Sequence, residues 1–408
     1  MSAEIYFDNN ATTRVLPEAF EAMRPFLTEL YGNPSSIHRF GSQVGQHLGT
    51  ARKQVAGLLG ASDPVEIVFT SCGTEGNSAA IRSVLESRPG KRHIVTTQVE
   101  HPAVLGVCQH LEKRGYQVTW LAVDNAGMLD LEELRGALAD DTALVSVMYA
   151  NNETGVIFPI EKIGEIVKAK GIPFHVDAVQ AAGKIPFTVN KLPVDLLTVS
   201  GHKFHAPKGV GALYVRRGMP FTPFMIGGHQ ERNRRAGTEN VAGIVGMGVA
   251  AEFALKYLES YAVQVRALRD QFEESLLRSC PGSRINGYGV DRLPNTSSVS
   301  FRYLEGEAIL VLLDEHGICA STGSACTAGS SEPSHVLRAM RVPADWLQGA
   351  VRFSLSRFNT PEDVHYVNQT VPSIVQRLQG LSALGRFADQ QPSQETKQRT
   401  GGSVGTRG

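Results

Sequence analysis

The chain has 408 residues, 42% of them hydrophobic and 20% charged, which is the make-up of an ordinary folded protein with room for two or three domains. Forty basic and forty acidic side chains cancel, so no net field recommends nucleic acid or an anionic membrane as a partner, and a small substrate is expected. No window reaches the roughly 18 apolar residues of a membrane span, and no basic stretch followed by an apolar core opens the sequence, so a cytoplasmic location is expected. The five cysteines, Cys72, Cys108, Cys280, Cys319 and Cys326, are an odd number with no C-x-x-C pair. That argues against a disulfide framework and against a zinc site, and leaves free thiols.

Residues 1–15 read as an extended N-terminal arm with a polar knot, Asp8-Asn9-Asn10-Ala11-Thr12-Thr13, of the kind that lies over a cleft. Helical spacing follows over Pro17–Phe26 and over Ser42–Leu59, where Val44, Leu48, Ala51, Val55 and Leu58 share one face. Ile67–Phe69 is an apolar strand that passes through the small-residue turn Cys72-Gly73-Thr74-Glu75 into a helix over Ala79–Leu85. Small residues let backbone N–H groups approach an anion, and the positive end of the next helix adds to the attraction. This is phosphate-cradle chemistry, although it matches neither G-x-x-x-x-G-K-[ST] nor G-x-G-x-x-G.

Strands are predicted over His93–Thr97, Tyr116–Val123, Thr142–Tyr149 and Phe174–Val176, with helices over Val104–Lys113, Leu131–Leu138 and Ile163–Ala169 between them. This alternation specifies a mainly parallel sheet covered on both faces, with ligands at the carboxyl ends of its strands. His101, the Asn151-Asn152-Glu153-Thr154-Gly155 run, Asp177 and Lys203 all fall just after such strands. Lys203 stands on a polar turn between the apolar runs Val194–Val199 and Gly211–Val215, beside His202, His205 and Lys208. An amine so placed is set up as a nucleophile toward an aldehyde. Asp177 precedes it by 26 positions, with Gln180 close behind. A pyridoxal phosphate enzyme needs such a pair: a lysine for the aldehyde, and an acid to keep the pyridine nitrogen protonated. Taken singly, Asp177 also reads as a cap or turn residue, and His101 as a structural histidine.

Gly227–Asn240 is a basic, glycine-bearing loop able to reach an anion. A helix from Val241 to Tyr257 then bridges, across a break, to a smaller domain alternating Ser297–Phe301, Ala308–Glu315, Ile318–Ala320, Val351–Leu355 and Pro361–Leu378. The expected division is an arm over 1–15, a large domain over 16–256, a small domain over 257–387 and a disordered tail over 388–408, whose composition cannot support a core. Inside the small domain, Cys319–His335 holds ten Gly, Ala or Ser among its seventeen residues, which predicts a mobile loop with Cys326 exposed at its centre. A thiol of ordinary pKa, about 8.5, is already a few per cent thiolate at pH 7 and needs little help to attack.

Taken together, CGTE, EHP, NNETG, HVDAVQ, SGHK, RAGTEN and GSAC closely resemble the class I cysteine desulfurases over about residues 5–378, and most of all their nitrogen-fixation (NifS) branch. The resemblance implies a pyridoxal 5'-phosphate enzyme of fold type I, aspartate aminotransferase-like. It also implies a homodimer that takes sulfur from L-cysteine, leaves L-alanine and feeds an iron–sulfur scaffold protein, in this branch for nitrogenase maturation. By the same resemblance Lys203 holds the cofactor aldehyde, Asp177 partners its ring nitrogen, His101 stacks on the ring as acid and base, and Gln180 donates to the ring hydroxyl. Gly73, Thr74, Ser200 and His202 match phosphate ligands, and Thr238 matches one contributed by the neighbouring subunit. Asn152 and Arg352 match the groups near the substrate carboxylate, and Cys326 matches the persulfide carrier. His229 and Asn233 depart from the family's usual glycines. Three alternatives stay open at this point: a housekeeping desulfurase for general iron–sulfur assembly and tRNA thiolation, a fold type I aminotransferase, and a non-catalytic sulfur carrier.

Overall fold

A computed structural model describes residues 4–323 and 333–381. Its main sheet has seven strands, in chain order β2 Ile67–Thr70, β3 His93–Thr97, β4 Gln117–Leu121, β5 Thr142–Met148, β6 Phe174–Asp177, β7 Leu196–Ser200 and β8 Gly211–Val215, following a short β1 at Ile5–Tyr6. Their spatial order is β2-β8-β7-β6-β5-β3-β4, and every pairing is parallel except those β8 makes with its two neighbours. Strands β2, β3, β5, β7 and β8 are buried along their whole length, which is why they read as unbroken apolar runs rather than as alternating ones. The chain runs outward from β3 to β4 on one side and returns past β3 to β5 on the other. The order therefore reverses between β3 and β5, and a crevice opens at the carboxyl ends of the strands there.

Helices cover both faces. Arg39–Leu59 buries Val44, Leu48, Ala51, Val55, Leu58 and Leu59, the stripe that the spacing predicts. The helix expected from Ala79 begins earlier, at Gly73, so Gly73 and Thr74 belong to its first turn. Poor helix formers are tolerated there because the first-turn N–H groups have no intrahelical acceptor in any case. The helix Pro102–Glu112 starts on a proline at its first position with His101 as its N-cap, an arrangement that directs the His101 backbone toward the strand ends.

Beyond the main sheet, helix Val241–Lys256 packs Ile244, Met247, Ala250 and Ala251 into the core around that sheet. It meets helix Leu258–Ser279 at a bend of 74°. The second helix buries Tyr261, Val265, Phe272 and Leu276 in a separate cluster with Phe301, Leu313, Val351 and Phe353. Leu313 comes from helix Gly306–Glu315, and the other three from a second sheet, ordered β12-β10-β9 and wholly antiparallel, of β9 Ser283–Ile285, β10 Thr296–Phe301 and β12 Ala350–Ser354. β9 escapes a sequence reading because it has three residues and one apolar side chain. The arm enters this region too: β1 pairs in parallel with β11, Ile318–Cys319, and Asp8 bridges to Ser354. No single helix among the described residues is long and apolar enough to cross a membrane.

Candidate active site

A cavity of about 380 Å³ opens where the carboxyl ends of β2, β3, β5, β6 and β7 meet the arm and the edge of the second sheet. That volume lies within the range of small-molecule and cofactor sites. Gly73, Thr74, His101, Asn152, Asp177, Gln180, Ser200, His202, Lys203 and Arg352 all line it, although they are scattered over 280 positions of sequence.

One end is formed by the start of helix Gly73–Ser87, whose N-cap Cys72 offers no side-chain cap to the first-turn N–H groups. A Cβ on Gly73 would stand 2.8 Å from Val179 Cγ2, too close for any larger residue to share the wall. Opposite it, the Ser200 hydroxyl is buried and has no hydrogen-bond partner among the described residues. Next along the chain, His202 Nδ1 lies 3.2 Å from Thr12 Oγ1. Burial, together with the charges of Lys203, Lys208 and Lys184, pushes the His202 imidazole down to about 4, so it is neutral at pH 7.

Asp177 ends β6 and is held from two sides. Asn77 Nδ2 donates to its Oδ2 at 2.6 Å, and the Val179 N–H donates to its Oδ1 at 3.0 Å. Asn77 sits one turn into the helix after β2, so the same helix that presents Thr74 also fixes Asp177. Lys203 Nζ donates to the carbonyls of Asn10 and Ala11 at 2.6 and 2.7 Å, which brings the N-terminal arm into the cavity wall.

His101 Nδ1 accepts the Ala103 N–H at 3.1 Å. A nitrogen that accepts carries no proton, so the proton of the neutral ring resides on Nε2. Burial holds the His101 pKa below the ordinary imidazole value; Asp177 opposes this, while Lys203 and His335 add to it. The preceding residue, Glu100, is fully buried, and burial pushes its carboxyl up to about 8. Thr97 Oγ1 and the Met148 N–H donate to its Oε1, and its Oε2 has no partner among the described residues.

From the second sheet, Arg352 reaches in with Nη1 donating to the Asn152 carbonyl at 3.1 Å and Nη2 to Asp8 at 2.8 Å. The wall here contains three residues to which the sequence reading gave no role. Asn10 contacts Gln180, Lys184, Lys203, Asn152, Asn295 and Thr296, and so joins the arm to both sheets. Glu153 is buried and accepts from Ser334 Oγ at 2.5 Å, with burial raising its pKa. His335 lines the cavity, with Nε2 3.0 Å from the Glu100 carbonyl. Glu153 and His335 stand inside motifs that were noticed, and only their contacts distinguish them.

Two expected site residues are not among these. Thr238 lines a different cavity, with Ser71, Arg235 and Glu239, and does not reach the one that holds Lys203. Cys326 lies outside the described residues, as does the tail after Leu381. Gly323, three positions before Cys326, lines the cavity, where a Cβ would run into Glu153 Oε2.

The family model described as Aminotransferase class-V matches residues 5–367. A "Cysteine desulfurase" of Trichormus azollae is 60% identical over 378 residues, covering 93% of this chain and 94% of its own. "Cysteine desulfurase NifS" of Azotobacter vinelandii is 54% identical over 380 residues, with coverage of 93% and 94%. Among solved structures, a "NIFS-like protein" superposes with a TM-score of 0.87 at 44% identity, covering 92% of this chain and all of that one. A NifS-like protein from Rickettsia africae superposes at 0.83 with 32% identity, covering 91% and 99%. By fold, by cavity and by identity along nearly its whole length, the chain belongs to the class-V aminotransferases and, within them, to the cysteine desulfurases.

Proposed function

We propose that the chain takes sulfur from L-cysteine, leaves L-alanine, and carries the sulfur away as a persulfide on Cys326. The family's cofactor is pyridoxal 5'-phosphate, and the residues present fit it. The orphaned Ser200 hydroxyl and the uncapped start of helix Gly73–Ser87 both seek an anion's oxygens, while Asp177, held by two donors, keeps a carboxylate at the far side. Gly73, Thr74, Ser200 and His202 would hold the phosphate, Asp177 the ring nitrogen, Gln180 the ring hydroxyl, His101 the ring face and Lys203 the aldehyde. When bound, the protonated ring supplies an electron sink for the bonds broken at the substrate.

The remaining steps belong to the chain's own groups. Arg352 and Asn152 orient the substrate carboxylate. Lys203 Nζ takes the Cα proton, and His101 keeps a proton available at Nε2. The Cys326 thiolate takes the substrate sulfur as the Cβ–S bond breaks, and Cβ gains a proton to become the methyl of alanine. The observation that carries this reading is the convergence of Lys203, Asp177, Gln180 and His101 on one cavity whose wall also includes Gly323, three residues from Cys326. Three residues of chain span at most about 11 Å.

The sulfur goes to an iron–sulfur scaffold protein, and the nitrogen-fixation branch is favoured by 54% identity to the Azotobacter vinelandii NifS. The enzyme works as a cytoplasmic homodimer: Thr238 stands away from its own chain's cavity, which is what a residue offered to a neighbouring subunit would do. The division into a large and a small domain at residue 257 is supported by the helix bend and by the separate apolar clusters on either side of it. The deciding experiment supplies L-cysteine with a reductant and follows the products. Alanine and sulfide in equal amounts are expected, whereas a keto acid would indicate transamination.

A further inference from the structure

Lys184 is 3% exposed, lies beneath the cavity floor and has no part in the chemistry above. Its Nζ donates to Gln180 Oε1 at 2.7 Å and to Asn10 Oδ1 at 2.9 Å, both neutral amide oxygens. On the other side of the same amide, Gln180 Nε2 donates to the Asn10 carbonyl at 3.0 Å. We propose that Lys184 is a positioning residue that fixes which way round the Gln180 amide sits, and thereby presents an N–H of Gln180, not its oxygen, to the cofactor.

An amide can ordinarily be turned over without changing its shape, and its two ends are assigned only from their partners. Here the partners leave no choice. A protonated amine only donates and a backbone carbonyl only accepts, so the amide fits with Oε1 toward Lys184 and Nε2 toward Asn10, and the reverse would set donor against donor and acceptor against acceptor. The second Nε2 hydrogen is then what remains to face the cavity, which Gln180 lines. Burial, with the charges of Lys203 and Arg352 adding to it, drives the Lys184 pKa well below its ordinary value; the neutral amine still has hydrogens for both oxygens, and the Asn10 carbonyl, which cannot donate, still refuses the reversed amide. The Asn10 carbonyl that receives Gln180 also accepts from Lys203 Nζ at 2.6 Å, so the same contact sets the Lys203 amine in place. Removing Lys184 leaves a buried amide oxygen without a donor, and the group turns or withdraws to find one.

The inference rests on the reading that pyridoxal phosphate occupies this cavity with Gln180 as a donor to it. Its test is a double-mutant cycle on cofactor binding, with the dissociation constant of pyridoxal phosphate as the readout for wild type, Lys184→Met, Gln180→Leu and the double variant. Lys184→Met is expected to weaken binding about tenfold, the effect of one buried hydrogen bond. In the Gln180→Leu background the same change is expected to add less than about twofold, because the residue through which it acts is gone. Equal, additive losses in both backgrounds would assign Lys184 a general structural role and overturn the proposal. If Lys184→Met does not fold, Lys184→Gln, which can offer either an N–H or an oxygen, is expected to weaken binding to an intermediate degree, and wild-type binding in that variant would also overturn it. Failure of wild type to bind pyridoxal phosphate at all, or unchanged binding in Gln180→Leu, would instead strike at the underlying reading of the site.

Discussion

Arg352 and Asp8, 344 residues apart in sequence, meet as an ion pair of 2.8 Å with the guanidinium almost wholly buried. The Arg352 fork spends one Nη on Asp8 and the other on the Asn152 carbonyl, and its Nε has no partner among the described residues. A guanidinium held in this way by the arm is fixed in place before any substrate arrives, as the residue proposed to orient the substrate carboxylate must be.

Arg352→Gln is therefore expected to raise KM for L-cysteine by about 100-fold with a smaller effect on kcat, the signature of a lost charge-assisted contact that is already made in the ground state. Steady-state kinetics test this. An unchanged KM would remove Arg352 from the substrate site.

Lys203→Ala should abolish turnover and leave no amine in place to capture the cofactor aldehyde. Lys184 is the alternative to watch, since it shares Asn10 with Lys203, but it is buried and, unlike Lys203, does not line the cavity. Borohydride reduction of the variant followed by peptide mapping checks this. A pyridoxyl group on Lys184 at the wild-type yield would show that Lys203 is dispensable for capture.

Glu100 makes the stability depend on pH in a direction that can be stated. Its carboxyl stands near 8 in the fold and near 4.3 in an unfolded chain, so over that interval the folded protein holds the extra proton and its stability falls as pH rises. His175, His202 and His205, depressed by burial to about 3, 4 and 4, act oppositely below their unfolded value of about 6.5. From about 6.5 to 8 the Glu100 effect stands alone among these four. Glu100→Gln, a permanent copy of the protonated form, should flatten the decline in denaturation midpoint between pH 6.5 and 8, and an equally steep decline in the variant would assign the dependence elsewhere.

The loop carrying Glu231, Arg232 and Asn233 holds three consecutive residues at positive φ, 48°, 58° and 63°. It is held there by Glu231, whose carboxylate takes both Nη groups of Arg52, at 2.6 and 2.7 Å, and the Phe69 N–H. Asn233 and His229, the two positions that depart from the family's glycines, are bonded to each other at 2.7 Å. Asparagine bears a left-handed conformation with little strain and arginine does not. Arg232→Gly should therefore stabilise the protein by about 1 kcal/mol and Asn233→Gly by clearly less, as read from urea midpoints; the reverse order would mean that the loop relaxes in solution.

Much of this arrangement is legible in the sequence because parallel strands are buried on both faces and end on a common edge. His101, Asn152, Asp177 and Lys203 could be placed together simply as the residues that follow apolar runs. What was not legible depends on contacts across long distances. Asn10 looks like one more polar residue in a polar knot until its partners across both sheets are known, and Lys184 looks like a surface lysine in a turn. Asn77 lies inside a helix that the small residues Gly73 and Gly76 disguise as a turn, and its contact with Asp177 follows only once that helix begins at Gly73. β8 turns antiparallel because only the short polar connection 201–210 joins it to β7, too short for a crossover.

The last prediction concerns the thiols. Burial pushes Cys108 up to about 12 and Cys280 to about 11, and it raises Cys319 as well, so none of the three offers much thiolate at pH 7. Cys72 lines the cavity itself, at the start of helix Gly73–Ser87, so it and Cys319 are the thiols to compare with Cys326. Gly323 and Ser334, on either side of the segment that contains Cys326, both stand at one carboxylate of the cavity wall, Gly323 against Glu153 and Ser334 bonded to it at 2.5 Å. Cys326→Ala should bind pyridoxal phosphate as wild type does, since the groups that would hold it lie in and around the main sheet, and should still bind cysteine, yet release no sulfide. Mass spectrometry of every cysteine after one addition of L-cysteine should find the persulfide on Cys326 alone in the wild type. A persulfide on Cys72 or Cys319 with none on Cys326, or full activity in Cys326→Ala, would transfer the sulfur-accepting role to a thiol fixed in the fold.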